Sequence, residues 1–585
     1  MPVPPRSIAT SIFDELRAIQ RAHGYLPEGE LRTIGDRLDV PLYRLQAVAS
    51  FFPHFFLKPP ARAEVRVCGD MSCHRYGGNE LRETLAARFQ GQDAHITHVS
   101  CLGRCDLAPA IAVNDHIFER TSEAEASALI EAALAGASPE QLATRKHPPQ
   151  RTPVMCDPYV AGDRTSDLEP RTSDLEPLTS SQYGVLRTYV QSKDWPGLIA
   201  TLKASGLRGL GGAGFPTGMK WELVRNQPGD VKYIVCNADE SEPGTIKDRH
   251  IMTNAPHLLV EGMILGGLVA GARHGVIYIR HEYTDQEHIL QHEIDRCYRE
   301  GILGTGVMGS DLSFDLEVFV SPGLYICGEE SALLEAMEGK RAEPRNKPPF
   351  PGQHGGGLWG KPTVINNVET FFFVPVILAR GLDWFKTAGR NGSAGVKFVG
   401  VSGDVTRPGV FEVPMGIPYR ELIEQLAGGV APGRTFKSFA PSGPAGGFLP
   451  ARMADLPLDW NAMTQAGATV GSGAIVVCDD RACMLDMALN AVRFFRNESC
   501  GKCVPCRVGS AKLTDLLTGW TRGRRGPNDI ALYEDLSHAM RQTSICGLGQ
   551  VVPVPIASVL KHFPDEVDAH AKGVCPAGVC FRGRA

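Results

Sequence analysis

Apolar positions along the chain change their period several times, and each change predicts a different kind of element. Between residues 8 and 55 they recur at the spacing of amphipathic helices. Residues 63–67 and 94–99 read as short strands. Helical patterns at 80–89 and 123–134 flank the second strand, so the first unit is predicted to end near residue 135.

Composition marks the boundaries beyond this point. The segment 136–180 is rich in Pro, Ser and Thr and contains two consecutive copies of Arg-Thr-Ser-Asp-Leu-Glu-Pro. Two copies of seven residues are too few for a solenoid, so we interpret the segment as a linker without chemistry. The predicted multidomain α/β organisation is a helical segment at 1–60, an α/β domain at 61–135, the linker at 136–180, a large α/β domain at 181–390, a β-rich domain at 391–478 and a helical bundle with a Cys-containing tail at 479–585.

Charge and hydropathy exclude several classes of function. The net charge is −5 with acids and bases interspersed, so nothing indicates nucleic acid or anionic lipid as a partner. No apolar stretch reaches the roughly eighteen residues of a membrane span, and the longest candidate, 258–272, contains Glu261. Sixteen cysteines are too few for a small disulfide scaffold. We therefore expect a cytoplasmic protein whose thiols bind metal.

The cysteine spacing near the end of the chain predicts an iron–sulfur cube. Cys500, Cys503 and Cys506 form a C-x2-C-x2-C run, and Cys546 follows forty residues later. Three thiolates from one loop and a fourth from a distant segment suit a [4Fe–4S] cluster. A zinc ribbon would instead show two C-x2-C knuckles.

A second cysteine set lies in the first α/β unit. Cys68 and Cys73 follow one predicted strand, and Cys101 and Cys105 follow the other. Four thiolates on two loops favour a [2Fe–2S] cluster. Zinc remains the alternative, although zinc knuckles prefer two-residue gaps.

Residues 206–221 contain six glycines and one candidate phosphate ligand, Lys220. Glycine lets backbone N–H groups approach a phosphate or a flat ring. The run is neither a Walker loop nor a dinucleotide fingerprint, and a flexible loop is the alternative.

Three other segments, 237–244, 325–330 and 366–370, place polar residues directly after apolar runs, where ligands bind in α/β sheets. For each acidic residue in these segments, helix capping is the alternative role.

These four motifs, in this order, resemble the flavin subunit of respiratory complex I and its relatives in NAD-linked formate dehydrogenases and soluble hydrogenases. Residues 1–135 resemble the thioredoxin-like [2Fe–2S] subunit of the same systems. The resemblance implies FMN, NAD(H) as substrate, a Rossmann-like FMN domain, a β-grasp domain and a helical bundle with the cube. It assigns to the flavin Gly209, Gly211, Gly212, Lys220, Asn237, Asp239, Tyr325, Gly328, Glu329, Asn366, Asn367 and Thr370. It assigns to NAD(H) Phe215, Glu242, Glu330, Lys347 and Phe350.

The chain departs from the family pattern at two positions. Leu210 stands where relatives often have Arg, and Leu223 stands where complex I subunits have a second aromatic. A lost aromatic would weaken adenine stacking by about 0.5–1.5 kcal/mol without removing the site. No catalytic acid or base is assigned, because FMN carries the chemistry.

The resemblance implies that the substrate-oxidising centre lies on another polypeptide. A molybdenum- or tungsten-containing formate dehydrogenase subunit with its own iron–sulfur chain is the favoured partner. A hydrogenase, a complex I-like module and an aromatic-acyl reductase are alternatives, and a structural subunit without flavin is an alternative of another class.

The tail contains a last candidate metal set. Cys575 and Cys580 follow His570 in an H-x4-C-x4-C run, and Cys483 precedes the predicted bundle. Three thiolates and one imidazole suit a structural Zn²⁺, whereas incidental thiols are the alternative.

Overall fold

The computed structural model describes residues 12–143, 152–159 and 182–581. The duplicated heptapeptides and Ile8 of the predicted first helix lie outside these residues. The strands are β1 (Ala63–Cys68), β2 (Ala94–Val99), β3 (Ile111–Val113), β4 (His116–Phe118), β5 (Tyr233–Ala238), β6 (His274–Ile279), β7 (Gly304–Thr305), β8 (Ser313–Val320), β9 (Thr363–Asn367), β10 (Val396–Gly403), β11 (Gly409–Pro414), β12 (Phe436–Pro444), β13 (Leu449–Pro450) and β14 (Ala474–Asp479).

The helices fall between and around these strands, with one π-helical turn at Glu421–Leu426. They are α1 (Ile12–His23), α2 (Glu28–Leu38), α3 (Leu42–Ala49), α4 (Ser72–Arg75), α5 (Gly78–Arg88), α6 (Glu123–Leu134), α7 (Pro139–Ala143), α8 (Gly184–Ser192), α9 (Trp195–Ser205), α10 (Thr217–Arg225), α11 (Lys247–Asn254), α12 (Pro256–Ala270), α13 (Thr284–Arg299), α14 (Glu330–Met337), α15 (Val368–Arg380), α16 (Leu382–Thr387), α17 (Trp460–Gln465), α18 (Met484–Asn497), α19 (Val504–Trp520), α20 (Asp529–Thr543), α21 (Gly547–Val551), α22 (Val554–His562) and α23 (Pro564–Ala571).

The chain forms two compact units. Of the described residues, the first comprises 12–60, 152–159, 182–240 and 247–396, and the second comprises 61–143, 241–246 and 397–581. Within the described residues, no helix combines the length and the apolar character that a membrane span requires.

The first unit is built on a five-stranded sheet in the order β7-β8-β6-β5-β9, parallel except for β7. Every residue of α12 is buried, which explains why its sequence lacks a polar face. Gly262 lies against the backbone of Phe371 in α15, and a side chain there would collide with it. The N-terminal helices belong to this unit, where Phe13 of α1 packs edge-on against Phe319 of β8.

The second unit contains two sheets and the helical bundle. One sheet has the order β2-β1-β3-β4, with β1 and β2 parallel, and the other has the order β11-β10-β14-β12-β13. The strand patterns predicted at 63–67 and 94–99 match β1 and β2 in the structure. Val401, Phe439 and Val477, from three neighbouring strands, lie in the apolar core of the second sheet.

Candidate functional site

The glycine-rich segment of the first unit forms a closed loop between α9 and α10. The Gly209 N–H donates to Phe215 O over 2.8 Å, and the Gly214 N–H donates to Gly209 O over 3.2 Å. The Leu210 N–H donates to Thr370 Oγ1 at the start of α15 (2.9 Å). Gly211 approaches the Asn367 side chain so closely that an added Cβ would lie 2.9 Å from Asn367 Cβ. The approach of Asn367 therefore requires glycine at position 211, and glycine backbone of this kind suits a phosphate or ring ligand.

Two side chains of α10 connect this loop to the carboxyl end of β9. Lys220 Nζ donates to Ile365 O over 2.9 Å, and Trp221 Nε1 donates to Asn366 Oδ1 over the same distance. Burial lowers the pKa of Lys220. A half-buried ammonium that donates to a carbonyl beside a glycine loop fits the binding of a phosphate anion.

Polar side chains meet where the parallel strands end. Asn237 and Asn367 are register partners on β5 and β9, and Asn367 Nδ2 donates to Asn237 O (3.3 Å). Asn237 Nδ2 donates to Gly328 O over 2.8 Å, and Ser321 Oγ donates to Asp239 Oδ2 over 3.0 Å. Tyr325 and Gly328 bound a short 3₁₀ turn after β8. This edge of the sheet therefore collects the residues predicted to contact the flavin.

A buried charge network of Lys247, Asp248 and Glu369 holds Asn367. None of these three charged residues was predicted from the sequence as a site residue. Lys247 Nζ lies 2.6 Å from Asp248 Oδ1, 3.0 Å from Glu369 Oε2 and 2.9 Å from Asn367 Oδ1. Asn367 Nδ2 donates to Asp248 Oδ2 over 2.6 Å. Burial lowers the pKa of Lys247, but Asp248 and Glu369 more than offset this effect, so the pKa lies above that of an ordinary lysine. The available signal was the Lys-Asp pair at 247–248, shortly after the acidic segment 237–244.

Glu240, in the loop that follows β5, contributes to the same network. Its two carboxylate oxygens accept the backbone N–H groups of Asp248 (2.7 Å) and Arg249 (2.9 Å), and Oε2 also accepts the Tyr283 hydroxyl (2.9 Å). Burial is the main cause that raises the pKa of Glu240 to about 7. The carboxyl group therefore fixes the first turn of α11, which carries Lys247.

The residues predicted to surround NAD(H) form a small charged cluster and two exposed rings. Lys347 Nζ lies 2.8 Å from a carboxylate oxygen of both Glu329 and Glu330. Glu329 also caps α14 by accepting two of its backbone N–H groups. Phe215 and Phe350 are 45% and 51% exposed, so each ring has surface available to a stacking partner.

Glu242 lies in residues 241–246, the short segment that belongs to the second unit. Its Oε2 accepts the Ser472 hydroxyl over 3.0 Å. Burial raises the pKa of Glu242 to about 7. Its predicted role toward NAD(H) stays a prediction.

The first cysteine set lies at one edge of the thioredoxin-like sheet. Because β1 and β2 are parallel, with Cys68 opposite Val99, both loops leave the sheet at the same end. All four cysteines are buried, and the Sγ atoms of Cys101 and Cys105 are 3.3 Å apart. The Gly103 N–H donates to Cys101 Sγ (3.3 Å), and the Gly244 N–H donates to Cys105 Sγ (3.1 Å). Backbone N–H groups directed at sulfur fit thiolates that hold an iron–sulfur cluster.

The second cysteine set lies at helix starts in the bundle. Cys503 precedes α19, Cys506 lies in its first turn, and Cys546 precedes α21. Gly549 of α21 lies so close to Cys506 that an added Cβ would be 2.9 Å from Cys506 Cβ. The two segments that carry the predicted cube ligands are therefore neighbours, and helix N-termini favour thiolates. The candidate zinc set, Cys483, His570, Cys575 and Cys580, is also gathered in this unit.

This combination defines a flavin- and iron–sulfur-containing NADH oxidoreductase subunit, and comparison with known proteins supports that class. Four family models match: a thioredoxin-like [2Fe–2S] ferredoxin (residues 5–134), a Nuo51 FMN-binding domain (202–376), an SLBB domain (398–448) and an NADH-ubiquinone oxidoreductase-F iron–sulfur binding region (486–570). The predicted multidomain α/β fold, the FMN domain and the two iron–sulfur regions are therefore confirmed.

The chain is also similar to subunits of known hydrogenases. The chain is 33% identical to the NAD-reducing hydrogenase HoxS subunit alpha of Cupriavidus necator, over 96% of this chain and 92% of that protein. It is 43% identical to the NADP-reducing hydrogenase subunit HndC of Solidesulfovibrio fructosivorans, over 66% and 78%. A crystal structure of an NAD⁺-reducing [NiFe]-hydrogenase in the H2-reduced state matches with a TM-score of 0.83 and 31% identity, over 96% and 94%. The chain belongs to the family of NADH-binding flavin and iron–sulfur electron-transfer subunits found in NAD-reducing hydrogenases and complex I.

Proposed function

We propose that the chain is the NAD(H)-converting subunit of a multisubunit oxidoreductase, and that its partner is the metal-containing subunit of an NAD-dependent formate dehydrogenase. The observation that carries the proposal is the presence, in one chain, of an open glycine cradle and both sets of cluster cysteines. The formate assignment rests on the resemblance to NAD-dependent formate dehydrogenases stated above, in which, as in some hydrogenases, the two parts are fused into one chain.

The alternative partner is a hydrogenase. The likeness to the HoxS alpha subunit extends over nearly the whole chain, including the fused N-terminal region, and this observation favours a hydrogenase partner. The two assignments predict different metals on the co-purifying subunit, so they can be separated directly.

In this proposal the first unit binds and orients two ligands. The N–H groups of Gly211 and Gly212 and the Lys220 ammonium would hold the FMN phosphate. Asn237, Asn366 and Asn367 would bind the polar edge of the ring system and its side chain, and Phe215 and Phe350 would stack on NAD(H). FMN, when bound, supplies the conversion between two-electron exchange with NAD(H) and one-electron transfer.

Glu329, Glu330 and Lys347 would set the charge around the nucleotide. Their compact arrangement leaves one carboxylate in excess, because one ammonium contacts two carboxylates. Such a site can accept hydrogen bonds from ribose hydroxyls. The thiolates of the second unit would hold the two clusters, the cube as the one-electron carrier toward the partner and the N-terminal cluster as a side carrier.

Purification of the intact complex tests the proposal. We expect a complex that releases FMN on acid treatment, a partner subunit that contains molybdenum or tungsten, and NAD⁺ reduction by formate. Nickel in the partner with NAD⁺ reduction by H2 would establish the hydrogenase alternative. A complex that has its full iron content but releases no flavin would refute the conversion role itself.

A further inference from the structure

The second unit contains a cluster of four potential metal ligands that lies outside the flavin and iron–sulfur sites. They are Cys483, His570, Cys575 and Cys580, and their ligand atoms all lie within 4.8 Å of one another. His570 Nε2 is 3.4 Å from Cys483 Sγ and 3.4 Å from Cys580 Sγ, and these two sulfurs are 3.5 Å apart. Zinc bonds of 2.0–2.3 Å in a tetrahedron require ligand separations of about 3.3–3.8 Å.

The spacing excludes the other common uses of such thiols. A disulfide needs sulfurs about 2.05 Å apart, far closer than the 3.5 Å between Cys483 and Cys580. Four ligand atoms this close surround one ion rather than a cluster of irons. Three soft thiolates and one imidazole at these separations are the ligand set of a structural zinc site.

The surrounding residues orient the imidazole for a metal. His570 Nδ1 donates to Glu566 O over 2.7 Å, which directs the lone pair of Nε2 toward the three sulfurs. The Glu566 carboxylate accepts the Met484 N–H at the start of α18 (3.1 Å) and lies 2.6 Å from Lys437 Nζ. Cys483 and His570 are each only 1% exposed, so two of the four ligands are withdrawn from solvent. Hydrogen bonds that orient a ligand residue in this way are typical of protein metal sites.

The site lies at the start of a helix that contacts one cluster loop and leads to the other. Cys483 immediately precedes α18. Farther along α18, Asp486 Oδ2 lies 2.6 Å from His74 Nε2, and Asn490 accepts the Met71 N–H and donates to Gly69 O, both over 2.7 Å. Gly69, Met71 and His74 belong to the loop and short helix around Cys68 and Cys73, and α18 ends shortly before Cys500.

We propose that these four residues bind one structural Zn²⁺, which fixes the start of α18 against α23 and the C-terminal tail. The ion joins segments 87 residues apart in sequence. Zinc has a single oxidation state in proteins, so it holds the helix without entering the electron path. The proposal is independent of the partner's identity, since zinc content does not depend on which substrate the complex oxidises.

The first experiment uses the intact complex as purified. Elemental analysis should find about one zinc per copy of this chain, and zinc X-ray absorption should show three sulfur ligands near 2.3 Å and one nitrogen near 2.0 Å. Zinc bound only through oxygen, or absent from a preparation with full flavin and iron, would overturn the proposal. This test requires no variant and is therefore unaffected by folding defects.

The second experiment compares a Cys575→Ser/Cys580→Ser variant with a Cys156→Ser control, which changes a buried cysteine of the first unit. Zinc per chain should fall at least about tenfold in the double variant only, with flavin and iron unchanged. Amide hydrogen exchange in the first turn of α18 should quicken about tenfold. Retention of zinc would overturn the assignment of ligands, and loss of zinc with unchanged exchange would overturn the role in fixing α18.

Discussion

Replacement of Lys247 by Met tests whether the buried charge network holds the flavin edge of the first unit. Lys247, Asp248 and Glu369 are 1%, 4% and 0% exposed, so water cannot solvate the carboxylates when the ammonium is removed. At an effective dielectric constant of about 20, unit charges about 3 Å apart attract by about 5 kcal/mol. Removal of one partner of a buried pair destabilises proteins by about 3–5 kcal/mol, and we expect Lys247→Met to fall in this range.

The effect should be local to the strand ends. Hydrogen–deuterium exchange on the intact complex should quicken in β9 and α11. FMN should also be lost more readily, because Asn367 loses its contact with Lys247.

Two further variants make the test decisive. Lys193→Met is the matched control, because Lys193 and its partner Asp311 are 47% and 72% exposed and such a pair contributes only about 0–1 kcal/mol. Lys247→Met/Glu369→Gln should recover about 1–3 kcal/mol by removing one orphaned charge. If Lys247→Met is no more destabilising than Lys193→Met, or if Glu369→Gln gives no recovery, the network does not act as described.

Three other predictions concern the clusters and the nucleotide. Cys503→Ala should abolish the cube signal in electron paramagnetic resonance and electron transfer to the partner, while NADH oxidation by an artificial acceptor persists; an unchanged signal would refute the ligand assignment. Cys73→Ala should remove about two irons per chain and retain the same diaphorase activity, whereas constant iron content would contradict the [2Fe–2S] assignment. Glu330→Gln should raise the KM for NADH about tenfold with unchanged FMN content, because it removes a charge beside Lys347; lost FMN with unchanged KM would place Glu330 at the flavin instead.

The parts of the fold that depend on neighbours in sequence could be predicted, and those that depend on distant partners could not. The strand patterns at 63–67 and 94–99 match β1 and β2 because alternation is a local consequence of one buried face. The cube run is visible because three ligands share seven residues. Lys247 carries no such signal, since two of its partners, Asn367 and Glu369, lie about 120 residues away and only the fold brings them together.

The role of Glu261 could not be predicted from the sequence and becomes clear only in the structure. In the sequence it is a single acid in an apolar stretch and indicates only that the stretch does not span a membrane. In the structure it is 0% exposed, and its carboxylate accepts the Tyr159 hydroxyl at both oxygens (2.9 and 3.0 Å) and the Leu186 N–H (2.9 Å). Tyr159 belongs to the described part of the segment interpreted as a linker without chemistry, so this carboxylate holds that segment on α12. Burial raises the pKa of Glu261 to about 7, which means that the carboxyl group favours the folded state less as the pH rises from 4.5 to 7. A buried acid is therefore retained at a thermodynamic cost because its hydrogen bonds dock the 152–159 segment onto α12.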